Sequence, residues 1–336
     1  MDDFSAIVKN AMEWHHQGRL EKAEIIYRRI LEIDPSHADA LHLLGLVYHA
    51  QGKYHEAVEV MGKAIIQSPQ VADFHSNIAA AELSAGHPIA AIRHASKAIE
   101  LECNFGTAHY NLGNALFALG ETDDAVRSFL KALETDPGND QFWSNYLFAL
   151  NFAPSAGQEL IFEENRRWGI SLEQGEEAIT FNNVLTPERP LRVAYYLPEL
   201  DKHPTARFLN AMLKHHDRKQ FEILVYGYAE TGDPPPKSLF DQADGWSNIE
   251  DMSIDHVAEQ MRRDRVDILL HPCTFKARYR TLIAYNAAPV QIACINLVST
   301  TGLRSTSHLV TDSFLSPLGE IEGFYTENLI RLSGFN

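Results

Sequence analysis

Along the first 150 or so residues apolar positions recur three and four apart, interrupted at intervals by short polar turns. That pattern predicts a succession of amphipathic helices. The interruptions keep a strict count. Gly18, Gly52, Gly86 and Gly120 stand 34 residues apart, and Ala23, Ala57, Ala91 and Ala125 follow them in step. Pro35, Pro69 and Pro137 close their units, with Cys103 in the third place. A glycine ends one helix, a small alanine lets the next lie close against it, and a proline stops that second helix. Trp14 and Tyr48 in first helices, and Tyr27 and Phe129 in second helices, are expected to fill the space between partners. The third unit is the weakest, with Glu82 where Trp14 and Tyr48 stand and Pro88 just past its turn. Phe142–Asn151 reads as one further first helix.

The pattern changes after Asn151. IFEENRRWGISLEQ reads as a helix with Ile161, Phe162 and Trp168 on one side, and a looser polar stretch, Gln174–Arg189, ends at Pro190. From Leu191 onward short β-rich runs alternate with helical stretches. Strands are expected at Leu191–Leu197, Phe221–Tyr228, Val266–Leu270 and Val290–Ile295, with Leu309–Thr311 and Leu329–Leu332 as short edge strands. Helices are expected at Pro204–His216, Asp255–Asp264 and Ala277–Tyr285. This alternation predicts a parallel sheet covered by helices on both faces. No GxGxxG follows the first strand, so the dinucleotide fingerprint is absent.

A 34-residue unit of helix, turn and helix resembles the tetratricopeptide repeat. The expected organisation is therefore an α-solenoid of about four repeats plus a capping helix at 1–151, a helical linker at 152–189 and an α/β, Rossmann-like lobe at 190–336. A formal net charge of -16 argues against nucleic-acid binding, which needs basic stripes. Three cysteines without CxxC spacing suggest neither a disulfide framework nor a zinc site. The adjacent histidines His15-His16 and His215-His216 do not converge on one metal. With no signal-like start and no long apolar run, the chain is expected to be cytoplasmic and to avoid membranes.

Two places carry candidate chemistry. The loop after the first strand holds Asp201, Lys202 and His203, and Pro204 stands where a helix would begin. A loop entering a helix N-terminus is an anion site, which His203 and Thr205 would flank. In the repeats, one position of the first helices carries Lys9, Leu43, Asn77, Asn111 and Asn145. The last three form an asparagine ladder, able to donate to and accept from a peptide backbone; the alternative is a set of tolerated solvent-facing amides.

RPLRVAYYLPELDKHPTARFL, HHDRKQFEILVYGY, RRDRVDILL, APVQI, TTGL and TDSFLSP, in this order after the repeats and FEENRRWG, resemble the bacterial relatives of protein O-GlcNAc transferase. The resemblance implies repeats that hold an acceptor or client protein, and half of a B-type glycosyltransferase fold that takes a UDP-sugar donor with no further cofactor. It implies a catalytic-site role for His203, with Thr205, Thr300, Thr301 and Gly302 on the donor side and Asn77, Asn111 and Asn145 along the peptide groove. Some family features are replaced. Asn165 stands where the family has a histidine, His271–Lys276 replaces a glycine-bearing stretch, and Ile295–Ser299 lacks the glycines usual before TTGL. The family's second lobe has no counterpart in these residues. Activity would then require a separate chain to supply that lobe, and the alternatives are a noncatalytic repeat scaffold or a plain adaptor.

Overall fold

The computed structural model describes residues 3–174, 179–184, 186, 188–197, 211–228, 241–272, 274–294 and 299–333. They fall into two compact units, Met1–Ser155 and Ala156–Asn336. In the first, α1 (Asp3–His16) pairs with α2 (Leu20–Ile33), α3 (Ala38–Ala50) with α4 (Tyr54–Gln67), α5 (Ala72–Ser84) with α6 (Pro88–Leu101), and α7 (Gly106–Ala118) with α8 (Thr122–Thr135). A further first helix, α9 (Asp140–Leu150), follows them.

Each of the four turn glycines is left-handed, with φ of +73, +75, +84 and +83° for Gly18, Gly52, Gly86 and Gly120. The next residue donates its N–H back across the turn: Arg19 to Trp14 at 2.8 Å, Lys53 to Tyr48 at 2.9 Å, His87 to Glu82 at 2.8 Å and Glu121 to Leu116 at 3.0 Å. This is the six-residue C-terminal closure that a left-handed glycine permits. Ala23, Ala57, Ala91 and Ala125 are fully buried. First helices contribute small residues too. A Cβ on Gly113 would lie 2.7 Å from the Phe129 ring, so the large second-helix residue occupies the space glycine leaves.

Ring nitrogens fasten the start of each later first helix. His75 Nε2 bonds the Pro69 carbonyl at 3.1 Å, His109 Nε2 the Cys103 carbonyl at 2.9 Å, and Trp143 Nε1 the Pro137 carbonyl at 2.9 Å. The bond uses only a backbone oxygen. Cys103 therefore replaces proline without losing it.

The second unit begins with α10 (Gln158–Leu172), and the rest is β1 (Leu191–Leu197), β2 (Phe221–Gly227), β3 (Gly245–Asn248), α11 (Ile254–Arg263), β4 (Ile268–His271), α12 (Ala277–Ala284), β5 (Val290–Ala293), β6 (His308–Asp312) and β7 (Asn328–Leu332). The strands form one sheet in the order β3-β2-β1-β4-β5-β6-β7. Every pairing in it is parallel. β1 feeds two cores by simple alternation: Ala194 and Tyr196 pack with Val257, Met261 and Leu282 from α11 and α12. Val193, Tyr195 and Leu197 face the other way, onto Leu213, Ile223 and Val225. Both faces of the sheet are thus apolar, as parallel sheets require. β3, with Trp246 as its one large apolar residue, is not an apolar run and is an addition to the strands expected from sequence. The helix expected at Pro204–His216 lies mostly outside the described residues; 211–214 are helical.

Because a left-handed turn and a packed helix contact cost different amounts, two glycine substitutions should separate in urea denaturation. Gly120→Ala is expected to lower stability by about 1 kcal/mol through backbone strain alone. Gly113→Val should cost about 2–3 kcal/mol through overpacking against Phe129. Equal losses would contradict this division of roles.

Candidate functional site

In an open parallel sheet, ligands bind beyond the carboxyl ends of the strands where the strand order reverses. Here the reversal lies between β1 and β4, whose register pairs Tyr195 with Leu270. The carboxyl end of β1 at Leu197 therefore opens beside that of β4 at His271. The chain leaving β1 carries His203 and Thr205, and both lie outside the described residues, as does Asp201.

His271 closes the β4 side of this switch point. It is 2% exposed, its Nδ1 is 3.3 Å from the Pro272 carbonyl, and its Nε2 is 3.5 Å from Thr306 Oγ1. Burial, with the Arg280 charge adding to it against the Pro272 bond, pushes its pKa down to about 4. It is a neutral ring with both nitrogens engaged. Asp312, the last residue of β6, uses Oδ1 to accept the N–H groups of Phe314 and Leu315, each at 2.8 Å. That carboxylate caps a turn.

Thr300 and Thr301 are 1% and 3% exposed, and their hydroxyls turn inward. Thr300 Oγ1 donates to Glu327 Oε2 at 2.7 Å, and Glu327 Oε1 takes the Thr301 N–H at 2.7 Å and also its hydroxyl. Gly302 follows at φ +72°, pressed against α10 so closely that a Cβ would stand 2.1 Å from the Asn165 carbonyl oxygen. Gly169 is its counterpart: a Cβ there would stand 2.1 Å from the Gly302 carbonyl oxygen. Two backbones meet where both residues lack side chains.

Arg280 on α12 binds the same corner. It is 2% exposed and donates to the Thr301 carbonyl at 2.7 Å, the Thr274 carbonyl at 3.1 Å and Asn165 Oδ1 at 2.7 Å. Its guanidinium also lies 4.9 Å from the Trp168 ring and 5.3 Å from Phe275. Asn165, fully buried, thus completes a network linking α10, the β4–α12 loop and the Thr300–Gly302 loop. The sequence pattern singles out neither Arg280 nor Glu327: α12 carries two arginines, Arg278 and Arg280, and nothing in their spacing tells which one is buried.

On the repeat unit, the three asparagines share one device. Asn77 Nδ2 is 3.0 Å from His42 Nε2, Asn111 Nδ2 is 2.8 Å from the Ser76 carbonyl, and Asn145 Nδ2 is 3.0 Å from the Tyr110 hydroxyl. Each of these partners lies 35 residues earlier, on the preceding first helix, and Asn145 Nδ2 also donates to Asn114 Oδ1 on that helix at 2.7 Å. His42 can accept because burial drives its pKa to about 4, so the ring is neutral. Asn111 is only 7% exposed, so the ladder positions are less open than their solvent-facing pattern suggests. The cause is close helix packing, which wedges each amide against its neighbour. Gln141 donates to Asn145 Oδ1 at 3.3 Å. Among the described residues no hydrogen bond ends on Oδ1 of Asn77 or Asn111.

Among the described residues no group of three or more His, Cys, Asp or Glu side chains is gathered to hold a metal ion, and no helix is long and apolar enough to cross a membrane.

Comparison with known proteins agrees with both halves of this architecture. Residues 173–334 match the profile described as Glycosyl transferase family 41, and residues 26–59 and 107–139 match tetratricopeptide repeat profiles. The probable UDP-N-acetylglucosamine–peptide N-acetylglucosaminyltransferase SPINDLY of Arabidopsis thaliana is 28% identical over 203 residues, 59% of this chain and 22% of that protein. The probable enzyme of the same description named SEC, from the same plant, is 26% identical over 144 residues, 42% of this chain and 15% of its own length. A solved mutant of the Thermobaculum terrenum O-GlcNAc transferase superposes with a TM-score of 0.68 at 27% identity, covering 98% of this chain and 57% of that one. The matched part of the chain thus spans about a fifth of the length of SPINDLY and less of SEC.

Arg280→Leu should remove about 3 kcal/mol or more from the second unit, because the Thr274, Thr301 and Asn165 oxygens would be left without their buried donor. Calorimetric unfolding would show one transition moving down and the repeat transition unmoved. A variant as stable as the parent would mean the network is incidental.

Proposed function

On the premise of homology to the O-GlcNAc transferases, we propose that this chain is the acceptor-holding and first-lobe part of a protein glycosyltransferase. The reaction passes a sugar from a UDP-sugar to serine or threonine hydroxyls of a polypeptide held along the first helices. The observation that carries this reading is the stack of Asn77, Asn111 and Asn145. Their Nδ2 atoms grip the preceding helix, and the Oδ1 atoms of Asn77 and Asn111 remain for the N–H groups of an extended backbone. Such binding tolerates many side-chain sequences.

The donor diphosphate belongs at the β1–β4 switch point, against His203 and Thr205. Thr300, Thr301 and Gly302 shape the donor side through their backbone, since the two hydroxyls are held by Glu327. In the transfer the bond from the anomeric carbon to the diphosphate breaks, the acceptor oxygen takes its place, and the hydroxyl proton leaves to a base. Holding the departing diphosphate is the costly part, and one lobe supplies only a fraction of the contacts. A second lobe, of the kind the longer relatives have room for, would complete the cleft in the cytoplasm. A second reading, a noncatalytic scaffold that presents polypeptides to other proteins, is favoured by one observation: Asn165 is locked to Arg280, where the resemblance places a histidine.

Fluorescence anisotropy with a labelled, unstructured Ser/Thr-rich polypeptide tests the groove. Asn77→Ala with Asn145→Ala should weaken binding by about tenfold, or about 1.4 kcal/mol, with little change in melting. Adding Asn111→Ala should also cost about 1 kcal/mol of stability, because the Ser76 carbonyl loses a buried donor. Unchanged affinity in the triple variant would sink the peptide-holding role.

A further inference from the structure

The third repeat breaks the apolar pattern at positions that face its own helix pair and the turn before it. Where the first two repeats have Ile7 and Leu41, it has His75; where they have Ile26 and Val60, it has His94. We infer that His75 and His94 form a proton-sensitive joint within this repeat, closed while both rings are neutral and destabilised when the His94 ring takes up a proton.

The argument rests on which nitrogen carries each hydrogen. His75 Nε2 is 3.1 Å from the Pro69 carbonyl, which can only accept, so Nε2 is the protonated nitrogen of a neutral His75. Its Nδ1 is then a lone pair. That lone pair lies 3.2 Å from His94 Nδ1, with the two rings 5.5 Å apart. A hydrogen bond across this gap therefore requires His94 to carry its proton on Nδ1. The pair has one compatible arrangement of tautomers, and it links α5, α6 and the turn that precedes α5. A proton added to His94 makes its ring a better donor but places a full charge in a half-buried seam beside Arg93.

The surrounding charges decide which effect wins. Burial lowers the His94 pKa most, followed by the neighbouring His75; Glu82 acts against them and Arg93 with them, and the net direction is down. Glu82 does not act alone on His94, because its Oε2 also binds His87 Nδ1 at 2.7 Å. On the flanking helices, Lys63 is paired with Glu59, and the His109 ring is bonded to the Cys103 carbonyl. His42, on α3, is stacked on Phe74 of α5 at 4.4 Å.

The sign follows from linkage. A histidine whose folded pKa lies below the usual 6.5 is neutral in both states above that value, so its contact is then fully available. As pH falls through 6.5 the unfolded chain binds a proton that the folded repeat resists, and stability is lost until the folded-state pKa is passed. His42 titrates near 4 and therefore acts lower on the scale. The joint also bears on the groove. His75 is next to Ser76 and two residues from Asn77, which carry the bonds to Asn111 and His42. A weaker grip on polypeptides at mildly acidic pH would follow, a consequence that rests on the peptide-holding reading, whereas the joint itself does not.

Amide hydrogen exchange on the full chain, corrected for intrinsic rates, reads the joint directly. Between about pH 7.5 and about pH 5.5, protection in α5 and α6 should fall about tenfold in the parent and less than about twofold in His75→Leu/His94→Val. That double variant restores the apolar pair of the second repeat, so it is expected to fold. Nitrogen-15 NMR of the parent supplies an independent reading, with the hydrogen on Nε2 of His75 and on Nδ1 of His94 at neutral pH. The same pH response in parent and variant, or the opposite tautomers, would overturn the inference, whether or not any polypeptide binds.

Discussion

A helix that must end in a left-handed residue without strain needs glycine, and this chain meets that need every 34 residues. The constraint does more than terminate helices. Because Gly18, Gly52, Gly86 and Gly120 close with the same backbone hydrogen bond, each turn repeats one backbone conformation and the 34-residue register is kept from unit to unit. Residues 34 apart then face the same way, and residues 35 apart touch across neighbouring first helices. The asparagine contacts to His42, Ser76 and Tyr110 are products of that register. So are the ring bonds from His75, His109 and Trp143 to the turn carbonyls.

The second unit solves a different problem. Seven parallel strands expose their carboxyl ends on one side, and the loops there must be held without regular structure of their own. Two buried charges do this. Glu327 collects the hydroxyls and one N–H of Thr300 and Thr301, while Arg280 collects carbonyls from Thr301 and Thr274 and the amide of Asn165. The Thr301 peptide lies between them, offering its N–H to the acid and its carbonyl to the base. The result is a loop fixed by its backbone and a switch point whose β4 side is a neutral, engaged His271.

What could be read from residues alone follows from how local the cause is. Turn glycines, packing alanines and the apolar strands β1, β2, β4 and β5 announce themselves, since each is set by a short-range rule. β3 does not, because Gly245-Trp246-Ser247-Asn248 gains its place from pairing with β2 rather than from its own pattern. The roles of Thr300 and Thr301 were hidden for a similar reason. Their hydroxyls answer to Glu327, 27 and 26 residues later, and nothing in the TTGL stretch signals that partner. The asparagines are an intermediate case. Their 34-residue spacing is visible, but the burial of Asn111 comes from how tightly first helices pack.

The central claim is that the lobe retains the donor side of a glycosyltransferase at the β1–β4 switch point. Calorimetric titration of UDP and UDP-GlcNAc into the purified chain, with His203→Ala as the control, tests it most directly. The account predicts saturable binding in the parent that weakens by about tenfold or more when the imidazole is removed. Heat indistinguishable from dilution at millimolar nucleotide, or binding of equal strength in the variant, would contradict it and leave the asparagine face of the repeats as the working part of the chain.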